Sequence, residues 1–154
     1  MKTQFKSILL LLLLLELSPA IAQEATSTHQ DSLISVVDKY YELNLKIFQP
    51  NSTVSDVDML FGIFTEDFVY VHPAYGGEYT REDLYSGYVR NQNNGAFNGS
   101  VVDIEILNKI AGLNAVVTQK RFIEMTDGKL ENGKPEMTLF EFKNGKISRI
   151  FEYW

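Results

Sequence analysis

The second half of the chain carries the periodicity of β-strands, with no helical segment between them. Asn144-Gly145 is a strong signal for a hairpin turn, and residues 126–135, which contain two further Xaa-Gly turn pairs, indicate a loop. Successive strands joined by turns, with no helix between them, predict an antiparallel meander, and a parallel sheet of βαβ units is not expected. Four segments alternate apolar and polar side chains, as strands with one buried face do: residues 100–110, 113–125, 136–143 and 146–154.

The first half carries helical periodicity instead. Residues 31–49 predict a helix that ends at Pro50, with a broad apolar face. Thr53 or Ser55 begins a short second helix, and a third follows the capping box Thr80-Arg81-Glu82-Asp83. A single strand separates the second helix from the third. The predicted class is α+β, with three N-terminal helices packed on one face of a strongly bent, mainly antiparallel sheet.

The N-terminus has the three parts of an export signal. Lys2 and Lys6 precede an apolar run, and Ala20-Ile21-Ala22 is a small-residue cleavage signal, so residues 1–22 predict a secretory signal peptide. Glu16 interrupts the apolar run, which is too short to cross a membrane. We therefore expect an exported protein, either periplasmic or secreted, that has no membrane anchor after cleavage.

Cleavage leaves a flexible lead-in, residues 23–30, and one domain, residues 31–154. The whole chain has a formal net charge of −6 and the leader contributes +1, so the mature chain carries −7. An acidic domain of this kind is a poor partner for nucleic acid. The absence of cysteine excludes disulfides, thiolate metal sites and a cysteine nucleophile.

The predicted strand of residues 64–72 ends in a histidine. Phe68, Tyr70 and His72 alternate onto one face, and Pro73 weakens sheet pairing directly after them. An unperturbed histidine titrates near neutrality, so His72 has the chemistry of a proton shuttle at the mouth of a pocket. The alternative is a packed histidine at a strand end.

At this point the pattern resembles the nuclear transport factor 2-like superfamily, whose SnoaL-like branch includes polyketide cyclases. The resemblance rests on residues 36–41 (Val-Val-Asp-Lys-Tyr-Tyr), residues 60–88 and the hairpin of residues 139–147, and it extends over residues 31–154. It implies a cone-shaped half-barrel, the fold of ketosteroid isomerase and scytalone dehydratase.

The resemblance also implies roles for individual residues. His72 falls where ketosteroid isomerase has its proton-transferring Asp, and Tyr40 falls at the tyrosine that donates to the oxyanion. Thr138 is the best match to a second donor, a protonated Asp. The implied activity is cofactor-free acid–base chemistry of the isomerase, dehydratase or cyclase type, with His72 and Tyr40 as catalytic residues and Tyr70 or Thr138 assisting.

Three further residues are candidates for ligand contact. Tyr75 and Tyr88 would form an aromatic wall, although Tyr88 also suits helix packing. Arg121 shares the apolar alternation of its strand, and an inward arginine needs a carboxylate, from the protein or from a ligand. Glu124, Glu141 and Glu152 are the protein partners that we expect for it.

Several other chemistries lack their sequence signatures. Two distant histidines do not predict a zinc site, and no phosphate-binding loop, dinucleotide fingerprint or nucleophile elbow occurs, so neither a metal nor a cofactor is expected. The alternative to an enzyme is a module that binds a ligand without turnover, or that forms a homodimer through its sheet face. Phe151, Tyr153 and Trp154 are the contact candidates for the second role.

Overall fold

The computed structural model describes the backbone of residues 18–154 and the side chains from Thr28 onward. The charged and apolar parts of the predicted signal peptide lie outside the described residues. The helices are α1 (Ser18–Ile47), α2 (Val54–Gly62) and α3 (Arg81–Asn93). The strands are β1 (Phe64–His72), β2 (Gly77–Thr80), β3 (Val101–Ala111), β4 (Ala115–Thr126), β5 (Lys129–Asn132), β6 (Glu136–Lys143) and β7 (Lys146–Glu152).

One curved sheet contains all seven described strands. Its order is β2-β1-β7-β6-β4-β3, with β5 paired to β4. Every pair is antiparallel except β1 with β7, which run parallel. The predicted α+β class, with three helices against a bent and mainly antiparallel sheet, is confirmed. The parallel pair joins the first strand to the last one, which the chain reaches only after it has passed through the whole meander.

Two capping boxes fix the starts of the shorter helices. In α2 the backbone N–H of Thr53 donates to Asp56 Oδ2 over 2.7 Å, which selects Thr53 over Ser55 as the cap. In α3 the backbone N–H of Asp83 donates to Thr80 Oγ1 over 3.2 Å. Both boxes satisfy N–H groups that a helix otherwise leaves unpaired.

Helix α1 begins earlier than predicted. The helix starts at Ser18 and runs through residues 23–30, so Asp31 does not mark the helix start. Two contacts hold the segment to the β3–β4 turn: the His29 ring nitrogen Nε2 lies 2.8 Å from the Leu113 carbonyl oxygen, and Gln30 Nε2 donates to Ala111 over 3.3 Å. These tertiary contacts have no signature in the local sequence.

The predicted loop of residues 126–135 contains strand β5. Asp127 and Gly128 both have positive φ values, 50° and 75°, and form the tight turn that returns the chain alongside β4. The turn residues were recognised in the sequence, whereas the strand was missed. All four residues of β5 are exposed, so the strand has no buried alternation to recognise.

Strand β4 turns the opposite face inward from the one predicted. Val116, Thr118 and Lys120 are buried, so Arg121 and its alternating neighbours lie on the outer face. Both alternations of this strand contain apolar residues, since Val117 and Ile123 lie on one face and Val116 and Phe122 on the other. The periodicity alone therefore did not decide which face is buried.

The core lies between α1 and the inner sheet face. The predicted α1 stripe of Leu33, Val37, Tyr40, Asn44 and Ile47 is buried throughout. Phe140 of β6 packs edge-on against Tyr40 and Tyr41, with ring centroids 5.0 Å and 5.7 Å away. This packing places the tyrosines of α1 over the centre of the sheet. No described helix is long and apolar enough to cross a membrane.

Candidate functional site

A small aromatic cavity opens between α1, α3 and the inner sheet face. Its volume is about 190 Å³. Seven aromatic residues form most of its wall: Tyr40, Tyr41, Phe48, Tyr70, Tyr88, Phe122 and Trp154. The remaining lining residues are Asn44, Ile104, Lys120 and Glu152.

A row of polar side chains crosses the sheet beside this cavity. The pairing of β4, β6 and β7 places Thr118, Thr138 and Glu152 side by side on the inner face. The Thr138 hydroxyl donates to Glu152 Oε2 over 2.7 Å, and the indole N–H of Trp154 donates to the same oxygen over 2.7 Å. The hydroxyls of Thr118 and Tyr41 are 2.6 Å apart. Glu152 is therefore held in one position by two neutral donors.

Lys120 brings a positive charge into the same wall and is only 3% exposed. Its Nζ lies 2.7 Å from Glu136 Oε2 and 3.7 Å from Glu152 Oε2. The ammonium also lies 4.9 Å from the ring centre of Phe122 and 5.2 Å from that of Trp154, within the range of cation–π attraction. Two carboxylates and two aromatic faces thus surround one buried cation.

The cavity tyrosines divide into two groups. The Tyr88 hydroxyl donates to Asn44 Oδ1 over 2.8 Å, and the Tyr41 hydroxyl is bonded to Thr118. The hydroxyls of Tyr40 and Tyr70 have no hydrogen-bond partner within the described residues, and neither is sealed in the interior, unlike the His72 nitrogens. These two hydroxyls are the polar groups that a bound molecule would find free.

Burial raises the pKa of each of the four cavity tyrosines, Tyr40, Tyr41, Tyr70 and Tyr88, well above the usual value near 10. The nearby carboxylate of Glu152 acts in the same direction on all four. At neutral pH these side chains are therefore uncharged phenols that both donate and accept hydrogen bonds.

We expect these four tyrosines to ionise only when the protein unfolds at high pH. The folded state holds their pKa values above those of the unfolded chain. The resulting stability is therefore complete below about pH 10 and is lost as the pH rises above it. Absorbance of phenolate against pH should show the signal of these four tyrosines appearing together with loss of the far-ultraviolet dichroism. A single titration of all tyrosines before unfolding would contradict this.

His72 lies inward at the end of β1, as predicted, but does not line the cavity. The ring is fully buried, and neither ring nitrogen has a hydrogen-bond partner in the part of the chain that the structure describes. Tyr75 lies 4.1 Å away between ring centroids, and Trp154 packs edge-on at 4.4 Å. Because Val71 pairs with Phe151, His72 and Glu152 are the next residues along neighbouring strands.

The other predicted ligand residues are dispersed. Tyr75 is exposed and lines a neighbouring groove of about 340 Å³, which shares Tyr70 and Tyr88 with the cavity. Thr138 does not line the cavity and acts on it through Glu152. Arg121 lies outside, with its Nε 2.6 Å from Glu105 Oε2, so none of the three predicted carboxylates is its partner.

Sequence reasoning missed Lys120 and Glu152 as cavity residues, and placed Trp154 on the sheet face or at a dimer interface. Glu152 lies on the same face of the last strand as the buried Ile150, and a carboxylate on that inward face was the available signal. Lys120 gave no comparable signal, since its partner Glu136 becomes its neighbour only through the pairing of β4 with β6.

Two other features of the described residues bear on the site: possible metal ligands and a second groove. No group of three histidine, aspartate or glutamate side chains converges there to hold a metal ion. A more open groove of about 600 Å³ lies over β1 and α3, and one of its carboxylates, Asp67, pairs with Lys143 over 2.7 Å. The aromatic cavity is the better candidate for a ligand site, because aromatic side chains and a few polar groups converge on it.

Comparison with known proteins gives structural neighbours only. No protein-family model and no curated protein matches the chain. The structure of Bal32a, from a soil-derived mobile gene cassette, is 18% identical, with a TM-score of 0.59, covering 81% of this chain and 90% of the other. An NTF2-like protein from Anabaena variabilis is 17% identical, with a TM-score of 0.57 and coverage of 81% and 90%.

A third neighbour is an LEH-like epoxide hydrolase from M. tuberculosis. It is 18% identical, with a TM-score of 0.58, covering 80% of this chain and 83% of the other. At identities this low, the structural similarity establishes the architecture and leaves the activity open. The chain has the nuclear transport factor 2-like fold that its sequence resembles.

Proposed function

We propose that the protein binds one compact organic molecule in the aromatic cavity and holds its polar group beside Tyr40, Tyr70 and Glu152. The observation that carries this proposal is the pair of free tyrosine hydroxyls on the wall that also contains Glu152. Polar groups in a protein interior are normally satisfied by protein, water or ligand. A ligand oxygen between the two hydroxyls would meet that requirement.

Removal of single hydroxyls tests the proposal. A ligand-observed NMR screen of small oxygen-containing molecules would first identify a binder. Tyr40→Phe and Tyr70→Phe should then each weaken its binding about fivefold, because a hydrogen bond contributes on the order of 1 kcal/mol. Neither change should lower the melting temperature, since neither hydroxyl has a partner among the residues that the structure describes. Tyr85→Phe is the matched control, because the Tyr85 hydroxyl bonds to Asp58 outside the cavity. Equal binding by all four proteins would refute the proposal.

Cofactor-free acid–base catalysis is the second candidate function. It is favoured by the uncharged state of the tyrosines, because a neutral phenol can donate to an oxygen that gains negative charge during a reaction. Glu152 lies on the same cavity wall and would take a proton from carbon, with Tyr40 and Tyr70 as the donors. His72, the predicted proton shuttle, would join this chemistry only with Trp154 displaced from its ring.

The two candidate bases can be separated by substitution. Once a substrate is known, Glu152→Gln should reduce kcat by at least a hundredfold. His72→Gln should leave kcat within a few-fold if Glu152 is the base, and should abolish turnover if the histidine is. Full activity in both variants would show that neither residue is the catalytic base.

Export is a further part of the proposal, supported by Lys2, Lys6, the apolar run and Ala20-Ile21-Ala22. Mass spectrometry of the protein recovered from the exported fraction should find a mature N-terminus at Gln23. Ala20→Gln combined with Ala22→Gln should block processing. Recovery of a chain beginning at Met1 from the cytosol alone would contradict export.

We also propose homodimerisation through the outer sheet face. What supports it is a row of apolar side chains that crosses five paired strands there: Ile110, Val117, Leu139, Phe151 and Val71. Light scattering after gel filtration should give the mass of two chains, and Phe151→Lys should give one. Trp154 faces the cavity, so Phe151 and Tyr153 remain the contact candidates. A wild-type protein that stays monomeric at high concentration would exclude this partner.

A further inference from the structure

Two carboxylates and one ammonium group meet at the cavity: Lys120 and Glu152 line it, and Glu136 pairs with Lys120. We propose that the molecule bound there is a compact organic cation, such as an alkylammonium compound. This inference rests on the proposed binding function and adds the chemical class of the ligand.

The first argument is electrostatic. Lys120 is the one cation on the cavity wall within the described residues, and its closest partner is Glu136, at 2.7 Å. Glu152 lies 3.7 Å from the ammonium and otherwise receives only the neutral donors Thr138 and Trp154. Two carboxylates therefore share one positive charge, and Glu152 is only 3% exposed. A second cation in the cavity would neutralise the remaining negative charge, which Lys120 balances only in part because its closer partner is Glu136.

The second argument concerns the rings. Aromatic faces attract cations, and rings grouped around a pocket are a known arrangement for binding quaternary ammonium groups. The Lys120 ammonium already lies within 5.2 Å of two ring centres, those of Phe122 and Trp154. Tyr40, Tyr70 and Tyr88 line the same cavity and remain uncharged at neutral pH. A cation bound there would meet both the negative faces of rings and the Glu152 carboxylate.

The other two charge classes fit less well. An anion would have to displace Glu136 from Lys120 while remaining next to Glu152, so it would leave two carboxylates without a partner. A neutral molecule would gain from the apolar walls but leave the negative charge uncompensated. The volume of about 190 Å³ further restricts the cation to a compact one.

A pair of equally shaped probes isolates the charge. Choline and 3,3-dimethylbutan-1-ol differ in replacing a quaternary nitrogen by carbon, and both carry a hydroxyl for Tyr40 and Tyr70. Titration calorimetry of the protein should show choline binding at least tenfold more tightly than the neutral alcohol. Tetramethylammonium and methylammonium should compete with choline for the site.

Substitution assigns the effect to Glu152. Glu152→Gln should weaken choline binding at least tenfold and weaken binding of the neutral alcohol by a clearly smaller factor. Glu131→Gln, on exposed β5, is the control and should change neither. If Glu152→Gln does not fold, as judged by its melting curve, the comparison of the two probes on the wild-type protein still decides.

The outcomes separate this inference from the function on which it rests. Equal or tighter binding of the neutral alcohol would overturn the cationic class and leave small-molecule binding intact. Failure of all three cations, while a neutral or acidic molecule from the screen binds in a Tyr70-dependent way, would do the same. Failure of every probe and of the whole screen would overturn both.

Discussion

Replacing Lys120 with methionine is expected to lower the free energy of unfolding by about 3–5 kcal/mol, the usual cost of removing one partner from a buried ion pair. Methionine keeps most of the apolar stem that packs near Phe122 and Trp154 but removes the ammonium. Glu136 and Glu152 would then lie close together with no cation between them. Urea denaturation of the variant and the wild type measures the loss.

The control for this change is Lys129→Met on the exposed strand β5, which should stay within about 0.5 kcal/mol of the wild type. Adding Glu152→Gln to Lys120→Met removes one of the two repelling charges and should restore part of the stability. A loss below about 1 kcal/mol in Lys120→Met would mean that the carboxylates are not held by this lysine.

Replacing Phe140 with alanine is expected to cost a similar amount, about 3–5 kcal/mol, because the ring is fully buried and leaves a cavity. The same ring packs against Tyr40 and Tyr41, which line the cavity, so the variant should also bind the cavity ligand more weakly. Phe140→Leu retains much of the volume and should cost roughly 1–2 kcal/mol. Denaturation and ligand titration on the same preparations test both effects, and an unchanged affinity in Phe140→Ala would show that Tyr40 does not depend on this support.

Sequence predicted the features that depend on near neighbours along the chain. The capping box of α3 was recognised as a local pattern of residues three positions apart, and Thr53 was one of the two caps predicted for α2. The inward face of β6 was also recognisable, because Thr138, Phe140 and Phe142 share one face while Glu141 and Lys143 share the other. The same logic placed Tyr40 and Tyr70 on the faces that line the cavity.

What sequence did not predict depends on pairing between distant strands. Both alternations of β4 contain apolar residues, so the choice between Lys120 and Arg121 as the inward cation follows from the register against β6. Glu136 and Lys120 meet only through that register. The position of Trp154 over His72 likewise arises from the neighbouring ends of β1 and β7.

The single parallel pair of the sheet has a consequence for the order of folding. Strands β1 and β2 join the other described strands only through β7, so Phe64 must find Ile147 across the whole intervening meander. Contacts this distant in sequence carry the largest loop-closure cost, and we expect them to form after the local hairpins. Tyr70 lies on one side of this junction and Glu152 on the other. The cavity therefore comes into existence in the same step that completes the sheet, and a partly folded chain has no site to bind with.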